Sequence, residues 1–506
     1  MANGQKVRKT PKSGGRGPAS SKVSASDEEN VVAIWKTISF DHESALTLAS
    51  RFVDRKQFFL LESAIASTGA GARYTFMGFD SIWNMEVKRE EQSGPDPVTR
   101  IEEQMKKWRL LSLPVEPDPQ SAHVPLMGGA VGFFTFDTIT RIEPTVGTPP
   151  PALLKLPLAH YFVPANLFVL DHLSQRLTVV RYSLREQADG PKVVAVKLRG
   201  ERARLDGLLA ELVAVHRLKP LVPLRKVLDF DDFDSAVTQK QFDGMAKSCL
   251  DEIKKGEIFQ IQIGNRLSRN TKTHPFDIYR RLRSLNPSPY MFYYHFDHHT
   301  ILGASPEMMV GVQGDRVTHR PIAGTRRRRW EPVHDERMRQ ELKSSEKERA
   351  EHIMLVDLAR NDIGRIAEPG TVKVEHLMGV EEYSHVFHMV SQVTGKKRQD
   401  VSAAQALVAG FPNGTVCGAP KIRAIQLIYG YEKMAREFYA GSLGLFDFSG
   451  NLRSTILIRT IYVGNGKAHT QASAGIVYDS IPAQEWLETR NKMAACATAM
   501  LQPSGA

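Results

Sequence analysis

Cysteine is nearly missing from this chain: Cys249, Cys417 and Cys496 are the only thiols in 506 residues. An odd, widely spaced set excludes a disulfide framework and a zinc cluster, and it suits a reducing compartment. None of the three sits in a Gly-x-Cys-x-Gly turn, so the nucleophile of a glutaminase is missing too. No apolar run reaches the roughly eighteen residues of a membrane-spanning helix, which excludes a membrane partner of that kind. The phosphate-binding Walker pattern is absent, since GNGK at 464–467 is too short for it. Acidic residues are absent from the first 26 positions, which carry Lys6, Arg8, Lys9, Lys12, Arg16 and Lys22. Rich in Gly, Ser and Pro, residues 1–30 read as a disordered, solvated tail. The tail has no amphipathic stripe, so a cytoplasmic location is expected, with plastid import left open. A second basic cluster, Arg326 to Arg329, has no interleaved aromatics, which speaks against a nucleic-acid partner. It reads as a solvated loop or as an anion-attracting rim.

What is present is an ordinary globular composition, 42% hydrophobic and 24% charged, in a chain too long for one core. From Val31 to about Tyr182, short β-type runs alternate with turn signals: QFFLLESA, GARYTFMGF, GGAVGFFTFDT, NLFVLDH and QRLTVVRYS. A polar helix is expected over about 192–217, then a proline-stopped linker, HRLKPLVPLRK. Two regions, 31–230 and 231–506, follow. The second opens on a helix with Phe242, Met245, Cys249 and Ile253 at helical spacing, then the strand-like QIQIGNRLS. STILIRTIYV reads as one late strand-like stretch, and Asp479 or Ser480 can cap a final helix beginning at Pro482. The mixed order predicts an α+β fold.

Two acidic helices stand out. In SEKERAEHIMLVDLARNDIG, Glu348 and Glu351 share a face; in PAQEWLETRNKMAA, Glu485, Glu488 and Lys492 do the same. Carboxylates from two helices with an oxygen-rich substrate make a Mg²⁺ site; the alternative is an exposed Glu488–Lys492 ion pair. Three glycine-containing turns, PIAGTR (321–326), FPNGTVCGAPK (411–421) and QASAGIVYD (471–479), offer oriented amides that suit carboxylates.

The motifs PIAGTR, AEHIMLVDLARNDIGR, SHVFHMVSQVTG, FPNGTVCGAPKIRA, IRT and ETRNK occur together and in order. In them the region from Phe233 to Met500 resembles the chorismate-utilising enzymes. LLESA (60–64), RYTFMG (73–78), GGAVGFFTFD (128–137) and NPSPYMFY (286–293) resemble the anthranilate-forming branch of that family. The resemblance implies large mixed and antiparallel sheets packed as a sandwich with outer helices, with 31–230 regulatory and 231–506 catalytic. It implies Mg²⁺ held by Glu351 and Glu488 with Glu348 and Glu485 nearby, and chorismate as substrate. Arg459, Tyr439, Ser473, Ala474 and Gly475 would bind the enolpyruvyl end. Lys492, Gly324 and Thr325 would complete the anion pocket. Glu307, in SPE (305–307), would be the general acid, His388 would assist pyruvate elimination, and Thr415 would join the catalytic set.

Isochorismate- and salicylate-forming relatives carry a water-activating Lys where this chain has Gln260. The aminodeoxychorismate branch carries a nucleophilic Lys where this chain has Ala323. Both positions favour ammonia attacking ring carbon C2. The missing glutaminase cysteine implies ammonia from solution or from a separate glutamine amidotransferase subunit, and such a partner is expected. Leu61, Glu62, Ser63, Pro289, Tyr290 and Met291 would hold tryptophan as a feedback inhibitor. GNRLS (264–268), Arg328, Arg329 and Cys417 depart from the usual pattern. They keep two other readings open: an aminodeoxyisochorismate or aminodeoxychorismate synthase of a specialised pathway, and a silent tryptophan-binding subunit.

Overall fold

The computed structural model describes residues 29–63, 73–91, 93–115, 128–185, 191–224, 226–383 and 386–502. Residues 1–28 of the basic tail lie outside them, as do Ala64 of LLESA and Ser384 and His385 of SHVFHMVSQVTG; the expected tail ends two residues early, because Glu29 and Asn30 already belong to the strand Glu29–Ser39.

The strand Ala159–Asp171 is buried along nearly its whole length and is the branch point of the sheet. One edge pairs with Tyr74–Val87. The other edge is shared, first by Gly129–Phe134 and then by Arg176–Arg185. From Tyr74–Val87 one arm runs through Gln57–Glu62, Tyr290–Phe296, His299–Ser305, Thr460–Gly464 and Lys467–Ile476 to Gln260–Asn270. From Gly129–Phe134 the other runs through Ser442–Asp447, Leu452–Ile456, Met308–Gln313 and Arg316–His319 to Val386–Lys396. Ile322–Arg327 and Lys373–Glu382 also pair with that last strand. Every pairing in both arms is antiparallel; Glu29–Ser39 adds a parallel one with Trp108–Pro114.

The arms face each other. Phe133 of one meets Tyr294 of the other edge-on at 5.7 Å between ring centres, and Phe296 at 5.6 Å. On the first arm, Phe59 and Tyr294 point into this inner layer, while Phe58, Leu60 and Tyr293 point outward. Their outer face is covered by helices Pro275–Leu285 and Pro482–Met500. Both faces are therefore dry, which explains why QFFLL is a continuous apolar run instead of an alternating one. This is the α+β sandwich with outer helices that the sequence implied. The strands of the two sequence regions interleave: Gln57–Glu62 pairs with Tyr290–Phe296, and Gly129–Phe134 with Ser442–Asp447.

Two details differ from the sequence reading. STILIRTIYV is two strands, Leu452–Ile456 in one arm and Thr460–Gly464 in the other. Both halves have strand propensity, and only the partner strands reveal the break. The final helix, Pro482–Met500, has Ile481 at its N-cap and no side-chain cap. Ser480 instead accepts from the Val477 amide at 3.1 Å, so it closes the turn before the helix. Among the described residues no helix is long and apolar enough to cross a membrane.

Glycines test the strand placement. A Cβ on Gly132 would lie 2.1 Å from the His160 carbonyl oxygen and 2.6 Å from Tyr161 Cα, whereas one on Gly430, in helix Lys421–Tyr431, meets nothing within 4 Å. Gly132→Ala should lose about 1–3 kcal/mol in urea unfolding. Gly430→Ala should gain about 0.5–1 kcal/mol. Equal effects would contradict the pairing of Gly129–Phe134 with Ala159–Asp171.

Candidate active site

At Pro306–Glu307 and at Leu457–Arg459 the chain passes directly from one arm to the other, and these two crossings are bonded together. The Ile456 amide and the Thr455 hydroxyl donate to the Glu307 carbonyl at 3.2 and 2.7 Å. The Ala304 amide donates to the Arg459 carbonyl at 3.1 Å. Arg459 takes a left-handed backbone, φ 50°, a strained conformation for a side chain of its kind. Its Nη1 donates to the Lys492 carbonyl at 2.8 Å, and burial lowers its pKa. Glu307 is 5% exposed, and burial pushes its carboxyl up to about 8 against the Thr415 hydroxyl and the Lys492 charge. Its Oε1 is buried without a partner. This is an acid that stays protonated near neutrality.

Lys492 Nζ donates to the Ser473 carbonyl at 3.0 Å and pairs with Glu488 Oε1 at 2.6 Å. Ser473 donates its amide to the Tyr439 hydroxyl at 2.9 Å and its own hydroxyl to Gln262 Oε1 at 3.0 Å. Tyr439 lies 2.6 Å from Ser473 Oγ and donates to it. Past Thr470, the strand Lys467–Ile476 has a strand partner only on its Gln260–Asn270 edge. The main-chain groups of Ser473, and of Gly475 two residues on, therefore lie on the free edge, with Ala474 between them. A Cβ on Gly475 would come within 2.9 Å of both Gln260 Nε2 and Gln262 Nε2.

The carboxylates come from helices on different arms. Helix Glu346–Gly364, capped by Ser345, packs on Val386–Lys396; helix Pro482–Met500 packs on Lys467–Ile476. Gln260, on the strand Gln260–Asn270 of the first arm, donates Nε2 to Glu351 Oε1 at 3.3 Å. Burial raises the Glu351 pKa most, and the Glu348 and Glu488 charges raise it further against Lys492. Glu485 is raised by burial, with Ser480 opposing and Glu488 adding to the rise. Four carboxyls thus share one field. Two of them already hold cations: Glu488 pairs with Lys492, and Glu348 with Arg326 Nη1 at 2.9 Å. Among the described residues no three His, Cys, Asp or Glu side chains stand ready as a metal cluster. An all-oxygen set with mutual repulsion is nevertheless what a hard cation relieves.

Gly324, Thr325 and His388 lie on the two strands against which helix Glu346–Gly364 packs. Gly324, φ 62°, sits at an irregularity between Ala323 and Thr325, and a Cβ there would strike Leu342 and Glu348. His388 Nδ1 is 3.0 Å from the Gly324 carbonyl and 3.2 Å from Thr325 Oγ1. A carbonyl only accepts, so Nδ1 carries the proton and Nε2 is bare. Burial, with help from the Arg459 charge, lowers His388 to about 4, so the ring is neutral at pH 7.

The expected inhibitor segments also meet. Met291 faces Glu62 across paired strands, and the Ser63 hydroxyl is buried without a partner. Glu62 is already engaged, accepting from Tyr279 at 2.5 Å and from Arg283 at 2.8 and 3.1 Å. Leu61 is half-buried. Pro289 leads into Tyr290, which pairs with Ser305, two residues before Glu307. The basic cluster is partly neutralised: Arg326 pairs with Glu341 and Glu348, and Arg328 with Asp335 and Glu382.

Arg436 went unread in the sequence because YEKMAREFY looks like a charged surface helix. It is fully buried. It pairs with Glu432 at 2.7 Å and donates to the Val416 and Gln262 carbonyls, each at 2.7 Å. One guanidinium therefore ties the turn that carries Thr415 to the strand that carries Gln260.

Residues 57–498 match the family described as chorismate binding enzyme. Anthranilate synthase component 1 of Aquifex aeolicus (strain VF5) is 36% identical over 488 residues, 93% of this chain and 94% of that one. Its counterpart in Bacillus caldotenax is 39% identical over 459 residues, 88% and 89% of the two chains. The crystal structure of anthranilate synthase component I from Streptococcus pneumoniae TIGR4 superposes with a TM-score of 0.72 at 34% identity, covering 86% of this chain and 93% of that one.

The Glu307 acid has a stability signature. Its folded pKa of about 8 exceeds the ordinary 4.5, so the folded chain binds this proton more tightly than the unfolded one. The group's contribution is complete below 4.5 and is lost as pH rises through about 8. Glu307→Gln has no such proton to lose, so its Tm should rise relative to the parent between pH 5 and 9. A pH-independent difference would contradict the burial.

Proposed function

The chain belongs to the chorismate binding enzymes, and from that premise we propose that it aminates chorismate at C2 with ammonia and eliminates pyruvate, forming anthranilate. The observation that carries this reading is a buried protonated acid, Glu307, on which the Lys492 charge acts, and a neutral histidine, His388, on which the Arg459 charge acts, with Arg459 bonded to the Lys492 carbonyl. Arg459, Tyr439 and the main chain of Ser473 to Gly475 take the enolpyruvyl carboxylate and its neighbouring oxygens. Lys492 and the Gly324–Thr325 amides complete the anion pocket.

Glu351 and Glu488, with Glu348 and Glu485 beside them, are the residues that would hold Mg²⁺. When bound there, the ion would supply Lewis-acid chemistry, withdrawing electron density from the ring and favouring attack at C2. As ammonia adds at C2, Glu307 gives its proton to the departing C4 hydroxyl, which leaves as water. His388 Nε2 then takes the proton left on C2 while the C3–O bond breaks. The enolpyruvyl group leaves, is protonated at its methylene and becomes pyruvate. Gln260, neutral and engaged with Glu351, is not a base for water, which favours ammonia as nucleophile. Ala323 supplies no side-chain nucleophile.

The three cysteines are buried, and burial raises Cys249 to about 12 and Cys417 and Cys496 to about 11. Such thiols are poor glutaminase nucleophiles. Ammonia therefore comes from a separate glutamine amidotransferase subunit, and free buried thiols fit the reducing cytoplasm. The 31–230 region is regulatory in this reading. Tryptophan would bind at Leu61, Ser63 and Pro289 to Met291, with Glu62 anchoring that pocket through Arg283. The strand Tyr290–Phe296 would relay its presence to SPE.

Purified chain with chorismate, Mg²⁺ and ammonium should release fluorescent anthranilate; a non-aromatic amino product or no turnover would overturn the reading. At fixed free ammonia, kcat should fall above about pH 8, where Glu307 ionises. Glu307→Gln should lower kcat by about 10²–10⁴-fold. Glu488→Ala and chelation should each abolish turnover, with Mg²⁺ rescuing only the chelated parent. Saturating tryptophan should inhibit the parent and spare Ser63→Phe; equal inhibition of both would remove Ser63 from the pocket.

A further inference from the structure

The proton of Tyr439 is spent before it reaches the cleft. The Ser473 amide donates to the Tyr439 oxygen at 2.9 Å, and that oxygen lies 2.6 Å from Ser473 Oγ. Ser473 Oγ lies in turn 3.0 Å from Gln262 Oε1. All three residues are buried. A main-chain N–H can only donate, so the Tyr439 oxygen accepts from it and sends its own proton to Ser473 Oγ. The serine proton then goes to a carbonyl oxygen, which turns the Gln262 amide with Oε1 toward Ser473. Reversing that amide would set Nε2 against Ser473 and turn the serine proton back onto Tyr439. The tyrosine proton would then have no acceptor among the described residues.

The chain of donors therefore ends at Gln262 Nε2. Gln262 faces Gly475 across paired strands, and Gln260 shares that face of the sheet. A Cβ on Gly475 would lie 2.9 Å from Gln262 Nε2 and 3.7 Å from its Cδ, so the amide lies beside the space the glycine leaves open. Gln260 Nε2 is equally close to that point but is committed to Glu351 Oε1. Gln262 Nε2 bonds to none of the described residues. On a side chain only 7% exposed, two unused N–H donors call for an acceptor. The backbone at this point is fixed by Arg436, which donates to the Gln262 carbonyl at 2.7 Å.

We propose that Gln262 is a substrate-binding residue whose Nε2 donates to the enolpyruvyl carboxylate beside Gly475, its amide held in that orientation by the relay from Tyr439 through Ser473. This rests on the reading of the Ser473–Gly475 edge as the enolpyruvyl site. Tyr439 then acts on the carboxylate through Ser473 and Gln262. The two glutamines of QIQIG divide the work: one amide serves the metal carboxylate Glu351, the other the far end of the substrate.

The test is the affinity of the full-length chain for chorismate, measured by titration calorimetry with Mg²⁺ present and ammonia absent. Gln262→Met, close in shape but without a donor, should weaken chorismate binding about 10–100-fold, the worth of one hydrogen bond to a charged group. Anthranilate keeps the ring carboxylate and lacks the enolpyruvyl group, so it should bind Gln262→Met and the parent alike. Gly475→Ala leaves Gln262 in place but brings a Cβ within 2.9 Å of Nε2, and it too should weaken chorismate. It carries the test should Gln262→Met not fold. Equal losses for chorismate and anthranilate in Gln262→Met would mark general damage to the cleft and overturn the proposal. Unchanged chorismate affinity in both variants would overturn it and leave the proposed reaction standing. A parent that binds no chorismate at all would overturn both.

Discussion

Three hydrogen bonds between the two crossings of the sheet hold the cleft together: Ile456 and Thr455 to the Glu307 carbonyl, and Ala304 to the Arg459 carbonyl. Because the chain must change arms there, neither Glu307 nor Arg459 lies within a regular strand, and each is held by the other's flank. An acid and a cation that would neutralise one another if free are fixed with their side chains serving different partners. Arg459 reaches the final helix, and Glu307 is left with an unpartnered oxygen. The strain at Arg459 is tolerated because the surrounding ladders leave its backbone no alternative.

Arg436 performs the corresponding task one layer deeper. A fully buried guanidinium requires a full set of acceptors, and those available are Glu432 and two main-chain carbonyls from separate segments. Glu432 in turn accepts the Gly264 amide at 3.0 Å, while Arg266 and Glu437 form a second buried pair beside it. Such pairs are weak stabilisers but exacting in geometry. Here that geometry sets the spacing between the Thr415 turn and the Gln260 strand.

The sequence made the residues of the cleft legible through six motifs in order, and the acidic helices through their spacing. For Glu351 and Glu488 helical spacing alone favoured an ion pair, and only the motifs turned the reading toward a metal pair. The Glu488–Lys492 pair is present in the structure. The break in STILIRTIYV was not legible, because the two halves have the same propensity and differ only in which remote strand accepts them. Arg436 was not legible either, since burial of a charge is decided by partners far away in sequence.

The interleaving of strands also governs how the chain can be made. Gln57–Glu62 lacks its neighbour until residues 290–296 exist, and Gly129–Phe134 waits for residues 442–447. During synthesis the first third of the polypeptide therefore leaves the ribosome with two apolar strand edges it cannot close from its own sequence. Translation must be almost complete before either arm is sealed, so an interrupted chain exposes surface prone to aggregation.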